Sequence, residues 1–123
     1  MIEALIRWSV ANRVVGEVEG RMCILVDDMI DSGGTICQAA DALMAEGAKG
    51  VVIAATHAIF SGPAVERMDA CAAEEIIVTD TLPLTEEQRF DCLTELSIAP
   101  LVSRAIREVF EDGSVTSLFD GHA

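Results

Sequence analysis

Apolar and polar positions along this chain follow two periods in turn. Short runs of nearly continuous apolar character are strand-sized: Cys23–Asp28 (CILVDD), Val51–Thr56 (VVIAAT), Glu75–Asp80 (EIIVTD) and Leu93–Ile98 (LTELSI). The first three are apolar enough to fit strands covered on both faces. Between the runs, apolar residues recur at helical spacing. Ile36, Ala39, Ala40, Leu43 and Met44 fall at i, i+3, i+4, i+7 and i+8, with Gly47 as the stop. Ser61 is placed to cap a shorter helix with Pro63 in its first turn and Val65 and Met68 facing inward. Leu101, Val102, Ala105, Ile106, Val109 and Phe110 form the stripe of a last helix, with Pro100 near its start and Gly113 at its end. Ahead of the first core strand, Val14-Val15-Gly16-Glu17-Val18 and a Glu19-Gly20 turn predict a hairpin arm. Strand runs alternating with helical periods predict β-α-β units. The expected class is therefore α/β, a three-layer arrangement with a mainly parallel sheet flanked by helices.

The length of 123 residues suits one domain. Such a domain buries roughly two-thirds of the surface that its unfolded chain exposes. No repeat, linker or low-complexity stretch interrupts it. No run approaches the roughly 18 apolar residues of a membrane span, so no membrane partner is expected. Met1–Trp8 carries Glu3 and Arg7, with no small-residue cleavage site after an apolar segment, and does not read as a secretory signal. Cys23, Cys37, Cys71 and Cys92 are far apart, without a Cys-x-x-Cys pair. They are expected to be reduced, small apolar residues of a cytoplasmic protein.

Charge excludes more than it identifies. Twenty-one acids against eight bases leave a net charge of −13, spread along the chain. A nucleic-acid surface needs a basic patch, and none is visible. A phosphorylated metabolite would have to be met by backbone N–H groups, a helix N-terminus or a divalent cation.

The segment Ile24–Thr35 (ILVDDMIDSGGT) has parts that can meet one. An apolar strand ending in Asp27 and Asp28 places carboxylates at the C-terminal edge of a parallel sheet, where ligands bind in open α/β folds. Asp31, Ser32, Gly33, Gly34 and Thr35 then form a loop that leads into a helix. Two glycines let the backbone approach an anion and turn N–H groups toward it, and the helix start adds partial positive charge. Phosphate would sit in the loop, with sugar hydroxyls or Mg²⁺ against the carboxylates. The same residues also serve simply as turn formers and helix caps, so both readings stand at this point. Neither Gly-Lys-Ser/Thr nor Gly-x-Gly-x-x-Gly is present, which removes the Walker A and dinucleotide-binding readings.

An apolar strand followed by Asp-Asp, two residues, Asp, Ser/Thr, Gly, Gly and Thr resembles the phosphoribosyl pyrophosphate (PRPP) motif of type I phosphoribosyltransferases and ribose-phosphate pyrophosphokinases. Three further stretches resemble the pyrophosphokinases specifically: Thr56–Ala64 (THAIFSGPA), Val78–Pro83 (VTDTLP) and Ser114–Phe119 (SVTSLF). The resemblance covers about Val10 to the C-terminus and points to the C-terminal half of that family, with Met1–Ser9 left unplaced. It implies a type I phosphoribosyltransferase-like domain over residues 10–123. It also implies that Asp27 and Asp28 contact ribose hydroxyls, directly or through Mg²⁺. Asp31, Ser32, Gly33, Gly34 and Thr35 would cradle the 5-phosphate, Ser32 standing where threonine is usual.

Other implications follow from the same likeness. Ser114, Thr116 and Phe119 match positions of an effector site for phosphate or ADP at a subunit boundary, against the alternative of an ordinary tail. His57 is expected to be structural more than a site contact. Family members join ATP and ribose 5-phosphate to PRPP and AMP, holding ATP largely in an N-terminal half with a basic loop. Met1–Ser9 offers only Arg7, so ATP is expected only if another chain supplies that half, and the chain is expected to be inactive alone. No residue of this half is singled out as catalytic. Two alternatives are a small phosphoribosyltransferase, disfavoured by one Trp, no Tyr and four Phe for stacking a base, and a non-catalytic assembly partner. Apolar surface left by a missing half also implies a homo-oligomer.

Overall fold

The computed structural model describes Ala4–Ile6 and residues 16–119. Five strands form one sheet: β1 (Ala4–Ile6), β2 (Met22–Ile30), β3 (Gly50–Ala58), β4 (Glu75–Thr79) and β5 (Leu93–Leu96). They lie in sequence order and every pair is parallel. Helix α1 (Gly34–Ala45) joins β2 to β3 and α2 (Ala64–Ala70) joins β3 to β4. A short 3-10 turn, Glu86–Gln88, lies between β4 and β5, and α3 (Ala99–Phe110) follows β5. The expected α/β class with a parallel sheet and helices is present. Strand β1 arises from residues that the sequence pattern did not place.

Each step moves one strand along in the same direction. Right-handed crossovers repeated that way put successive connections on one face of the sheet. Burial follows this geometry. Cys23, Leu25, Val51, Ile53, Ile76 and Val78 are inaccessible or nearly so, and meet Leu43 of α1 and Met68 of α2 in the core. Their neighbours on the opposite face are open: Val26 is 53% exposed and Leu96 52%. Helices α1 and α2 thus cover one face, and the described residues do not supply the third layer.

The helix ends follow local chemistry. Helix α1 closes in a Schellman motif, with Ala48 N–H donating to Leu43 O at 3.0 Å and Gly47 N–H to Met44 O at 3.1 Å. Gly47 takes the left-handed conformation that this motif needs, at φ 88°. Helix α3 ends differently from expectation. Asp112, not Gly113, takes the left-handed position, at φ 52°, while Gly113 N–H reaches Glu108 O at 2.7 Å. The apolar stripe of α3 is also not an inward face. None of its residues is buried, and Val109 and Phe110 are 67% and 88% exposed.

Other departures are local. Strand β2 continues past Asp28 to Ile30 because Met29 and Ile30 still pair with His57 and Ala58. Strands β4 and β5 stop earlier than expected, at Thr79 and Leu96. The Glu19-Gly20 turn is present, closed by Arg21 N–H to Val18 O at 3.0 Å with Gly20 at φ 71°. Positive φ at the third position marks it as type II. Residues 16–18 are not strand, and Val14 and Val15 of the expected arm lie outside the described residues.

Candidate functional site

The loop between β2 and α1 sits at the C-terminal edge of the sheet, with Gly33 as the N-cap of α1. No side chain caps this helix, and Gly33 holds φ 75°, ψ −5°. A β-carbon on Gly33 would stand 3.0 Å from Met68 Sδ, so glycine is required here both by conformation and by the close approach of α2. On Gly34 a β-carbon would meet Arg67 Nη1 at 3.5 Å, an ordinary contact. Of the two glycines, only the first is locked by its surroundings.

A cavity of about 250 Å³ opens over this loop, lined by Asp27, Met29, Asp31, Ser32, Gly33, Gly34 and Thr35 among others. That volume lies just below the roughly 300–1,000 Å³ of drug-sized pockets and suits a smaller metabolite. Six of the seven residues singled out for the ligand are therefore brought together. Asp28 is not. It is exposed and is not among the residues that line the cavity. Its backbone N–H donates to Asp27 Oδ1 at 2.8 Å, which orients the Asp27 carboxylate.

The same geometry bears on Mg²⁺. Among the described residues no group of three or more His, Cys, Asp or Glu side chains gathers as a ligand set. A hard cation with one carboxylate, waters and substrate oxygens is the ordinary Mg²⁺ arrangement, and Asp27 can serve it.

The loop is held by a second loop, between β3 and α2. Ile30 O accepts from the backbone N–H groups of Ile59 and Phe60 at 3.0 and 3.1 Å, and Asp31 O accepts from Ser61 N–H at 3.0 Å. The Ser61 hydroxyl donates to Asp31 Oδ1. Ser61 is thus not the side-chain cap of α2, whose N-cap is Pro63; its hydroxyl is spent on the neighbouring loop. Arg67 extends from α2 so that Nη1 donates to Ser32 O at 3.2 Å. It lines a second cavity of about 460 Å³ together with Ser32, Gly34, Thr35 and Asp41. This is the cation that the acidic composition hid.

Phe60 anchors the second loop. It is buried, packs against Phe90 with ring centroids 6.0 Å apart, and holds a positive φ of 50°. A bulky residue in that region is strained, and the burial of its ring offsets the cost. Nearby, His57 Nδ1 lies 2.8 Å from Thr81 Oγ1, and Thr79 Oγ1 donates to Thr56 O at 2.7 Å. These bonds tie the end of β3 to the end of β4, the structural role expected for His57. Ser114, Thr116 and Phe119 are on the segment after α3 and line neither of these two cavities. The hydroxyls of Ser114 and Thr116 bond each other at 2.5 Å, and the Phe119 ring is exposed.

With the loop and its surroundings in place, comparison with known proteins is decisive. The model of the phosphoribosyl synthetase-associated domain matches residues 7–120. The chain belongs to that family. It is 60% identical over 112 residues to the ribose-phosphate pyrophosphokinase of Bifidobacterium longum, covering 91% of this chain and 33% of the relative. Against the ribose-phosphate pyrophosphokinase of Corynebacterium glutamicum it is 61% identical over 114 residues, covering 93% and 35%. Among solved structures, phosphoribosylpyrophosphate synthetase from Mycobacterium smegmatis superposes with a TM-score of 0.78 at 59% identity, over 82% of this chain and 34% of that one.

The chain therefore spans about a third of the length of the relatives it matches. This corrects the expectation of a half, and the comparisons do not bear out its placement at the relatives' C-terminal end. Membership in the phosphoribosyl synthetase-associated domain family agrees with the parallel sheet and helices of the fold. No helix among the described residues is long and apolar enough to cross a membrane.

Proposed function

We propose that this chain is a ribose 5-phosphate- or PRPP-binding unit of a ribose-phosphate pyrophosphokinase. The observation that carries the reading is the cavity over the glycine loop, lined by Asp27 and by Gly33, Gly34 and Thr35 at the start of α1. In this reading the 5-phosphate accepts hydrogen bonds from backbone N–H groups around Gly33, Gly34 and Thr35 and from the hydroxyls of Ser32 and Thr35. The sugar hydroxyls donate to Asp27. Asp28 acts by fixing the Asp27 carboxylate through its backbone N–H. Mg²⁺, carried in with the phosphorylated ligand, is held by Asp27 and supplies charge neutralisation between the carboxylate and the ligand oxygens.

Pyrophosphoryl transfer depends on positive charge against the transferring phosphates. The described part of this chain offers Arg67 near the loop but no basic cluster. ATP is accordingly held by groups outside this chain, and the chain alone is inactive. Calorimetric titration of ribose 5-phosphate, with and without Mg²⁺, tests the binding reading. Saturable heat that is lost on Asp27→Asn supports it, and no heat at millimolar ligand sinks it.

A second reading rests on the uncovered sheet face and the exposed stripe of α3. Surfaces of this kind mark association sites, so the chain is proposed also to self-associate or to dock on longer relatives. Sedimentation at two concentrations tests self-association. A monomer at both would count against it.

A further inference from the structure

Arg67 reaches the glycine loop from α2, and its guanidinium is spent on a backbone atom. The chain carries twenty-one acids against eight bases, so a carboxylate partner would be the ordinary use of an arginine. Among the described residues the ion pairs belong instead to Arg21 and Arg89. Arg67 Nη1 donates to Ser32 O at 3.2 Å, across 35 positions of sequence. It also lies against Gly34, where a β-carbon would stand 3.5 Å from it. The next residue, Met68, packs where a β-carbon on Gly33 would be. Two consecutive residues of α2 thus hold consecutive parts of the loop.

The bond to Ser32 O has a consequence on the other side of the peptide. The Ser32–Gly33 peptide is trans. Its C=O and N–H therefore share a plane and point in opposite directions. Holding Ser32 O toward Arg67 turns the Gly33 N–H away from Arg67. The two cavities divide in the same way. Ser32 and Gly34 line both, Arg67 lines only the one of about 460 Å³, and Gly33 lines only the one of about 250 Å³ that Asp27 also lines. Among the described residues no backbone carbonyl accepts from the Gly33 N–H. Gly33 is buried, and a donor left unpaired there is costly until a ligand oxygen or water meets it.

We propose that Arg67 is a positioning residue for the anion of the ligand, setting the Ser32–Gly33 peptide so that the Gly33 N–H is aimed at the phosphate before it arrives. The inference rests on the sugar-phosphate reading above and gives Arg67 a part in that site other than a charge on the phosphate. With the guanidinium removed, the peptide is free to turn over. Ser32 O would then face the cavity and present a lone pair to the anion where a donor is needed. A fixed donor binds more tightly than one that must be ordered on binding. Lysine also donates to a carbonyl from a long stem, whereas methionine fills the space and donates nothing.

Calorimetric titration of ribose 5-phosphate with Mg²⁺ into the unaltered chain, Arg67→Met and Arg67→Lys, at low salt and at high salt, tests this. Arg67→Met is expected to bind about ten-fold more weakly, the size of one lost hydrogen bond to a charged group. That ratio should be the same in about 1 M salt, where the Debye length is only about 3 Å and distant charges no longer count. Arg67→Lys should recover most of the loss. In the chain without ligand, the Gly33 amide resonance should move in Arg67→Met and return toward its place in Arg67→Lys. Equal affinities of the unaltered chain and Arg67→Met would overturn the proposal and leave the sugar-phosphate reading standing. A loss that vanishes at high salt would overturn it by making Arg67 a distant charge, and so would an unmoved Gly33 resonance. An unaltered chain that takes no ribose 5-phosphate sinks both readings together.

Discussion

The hydroxyl of Ser61 donates to the carboxylate of Asp31, joining two loops that follow different strands. Ser61 lies in the stretch between β3 and α2, and Asp31 opens the glycine loop after β2. Backbone bonds from Ile59, Phe60 and Ser61 to Ile30 and Asp31 run alongside it. Shaping the candidate phosphate loop is therefore a task shared with a segment some thirty residues downstream, as the separation in that bond shows.

Ser61→Ala should leave the backbone bonds in place and free the Asp31 carboxylate. A loss of about 1 kcal/mol in stability is expected, the ordinary net worth of one such bond. Ribose 5-phosphate affinity should fall as well, because Asp31 is then unrestrained beside the cavity. Denaturant unfolding and calorimetry on the same variant check both.

The two glycines of the loop should respond differently. Gly33→Val meets Met68 Sδ and a left-handed backbone, and should cost about 2–4 kcal/mol. Gly34→Ala has only an ordinary contact with Arg67 and should change stability by no more than about 1 kcal/mol in the favourable direction. Thermal unfolding distinguishes the two. Weakened ligand binding in a fully stable Gly34→Ala would place the ligand against that turn.

Met68 joins the core to the site. It is fully buried and touches the place where a Gly33 side chain would be. Met68→Ala should cost about 2–5 kcal/mol, the range for large-to-small core changes. Urea unfolding gives the number.

Asp80 clamps the entry to α3. Its carboxylate accepts Ile98 N–H at 2.9 Å, and the Ser97 side chain together with that N–H holds its pKa below the usual aspartate range. A lowered carboxyl pKa adds stability that is fully present above the unfolded value, about 4, and is lost as pH falls through the folded value. Stability should therefore drop below about pH 4, and Asp80→Asn should flatten that acid limb. Unfolding midpoints across pH 2–5 read it out.

Most of the architecture was legible because strand-sized apolar runs and helical periods are local signals. Gly47 stopped α1 as its position predicted, and the strand runs were right to within a few residues. The α3 stripe misled because a period of 3.6 shows which residues share a face, not what that face meets. The strand is expected to end at Asp27 and Asp28; two further pairs with β3 carry it on to Ile30, and only Asp27 lines the cavity. Ser61 and Arg67 were invisible as loop supports, since their partners, Asp31 and Ser32, lie on another element and leave no local pattern.

The one-sided cover of the sheet has a calorimetric consequence. The heat capacity of unfolding tracks apolar surface newly exposed, ordinarily about 12–15 cal/mol/K per residue. Here the outer sheet face around Val26 and Leu96, and the α3 stripe, are already hydrated in the folded chain. Unfolding of the monomer releases less, so its stability curve should be flatter than usual for this length. The missing heat capacity should reappear, with negative sign, in the binding heat of whatever covers that surface.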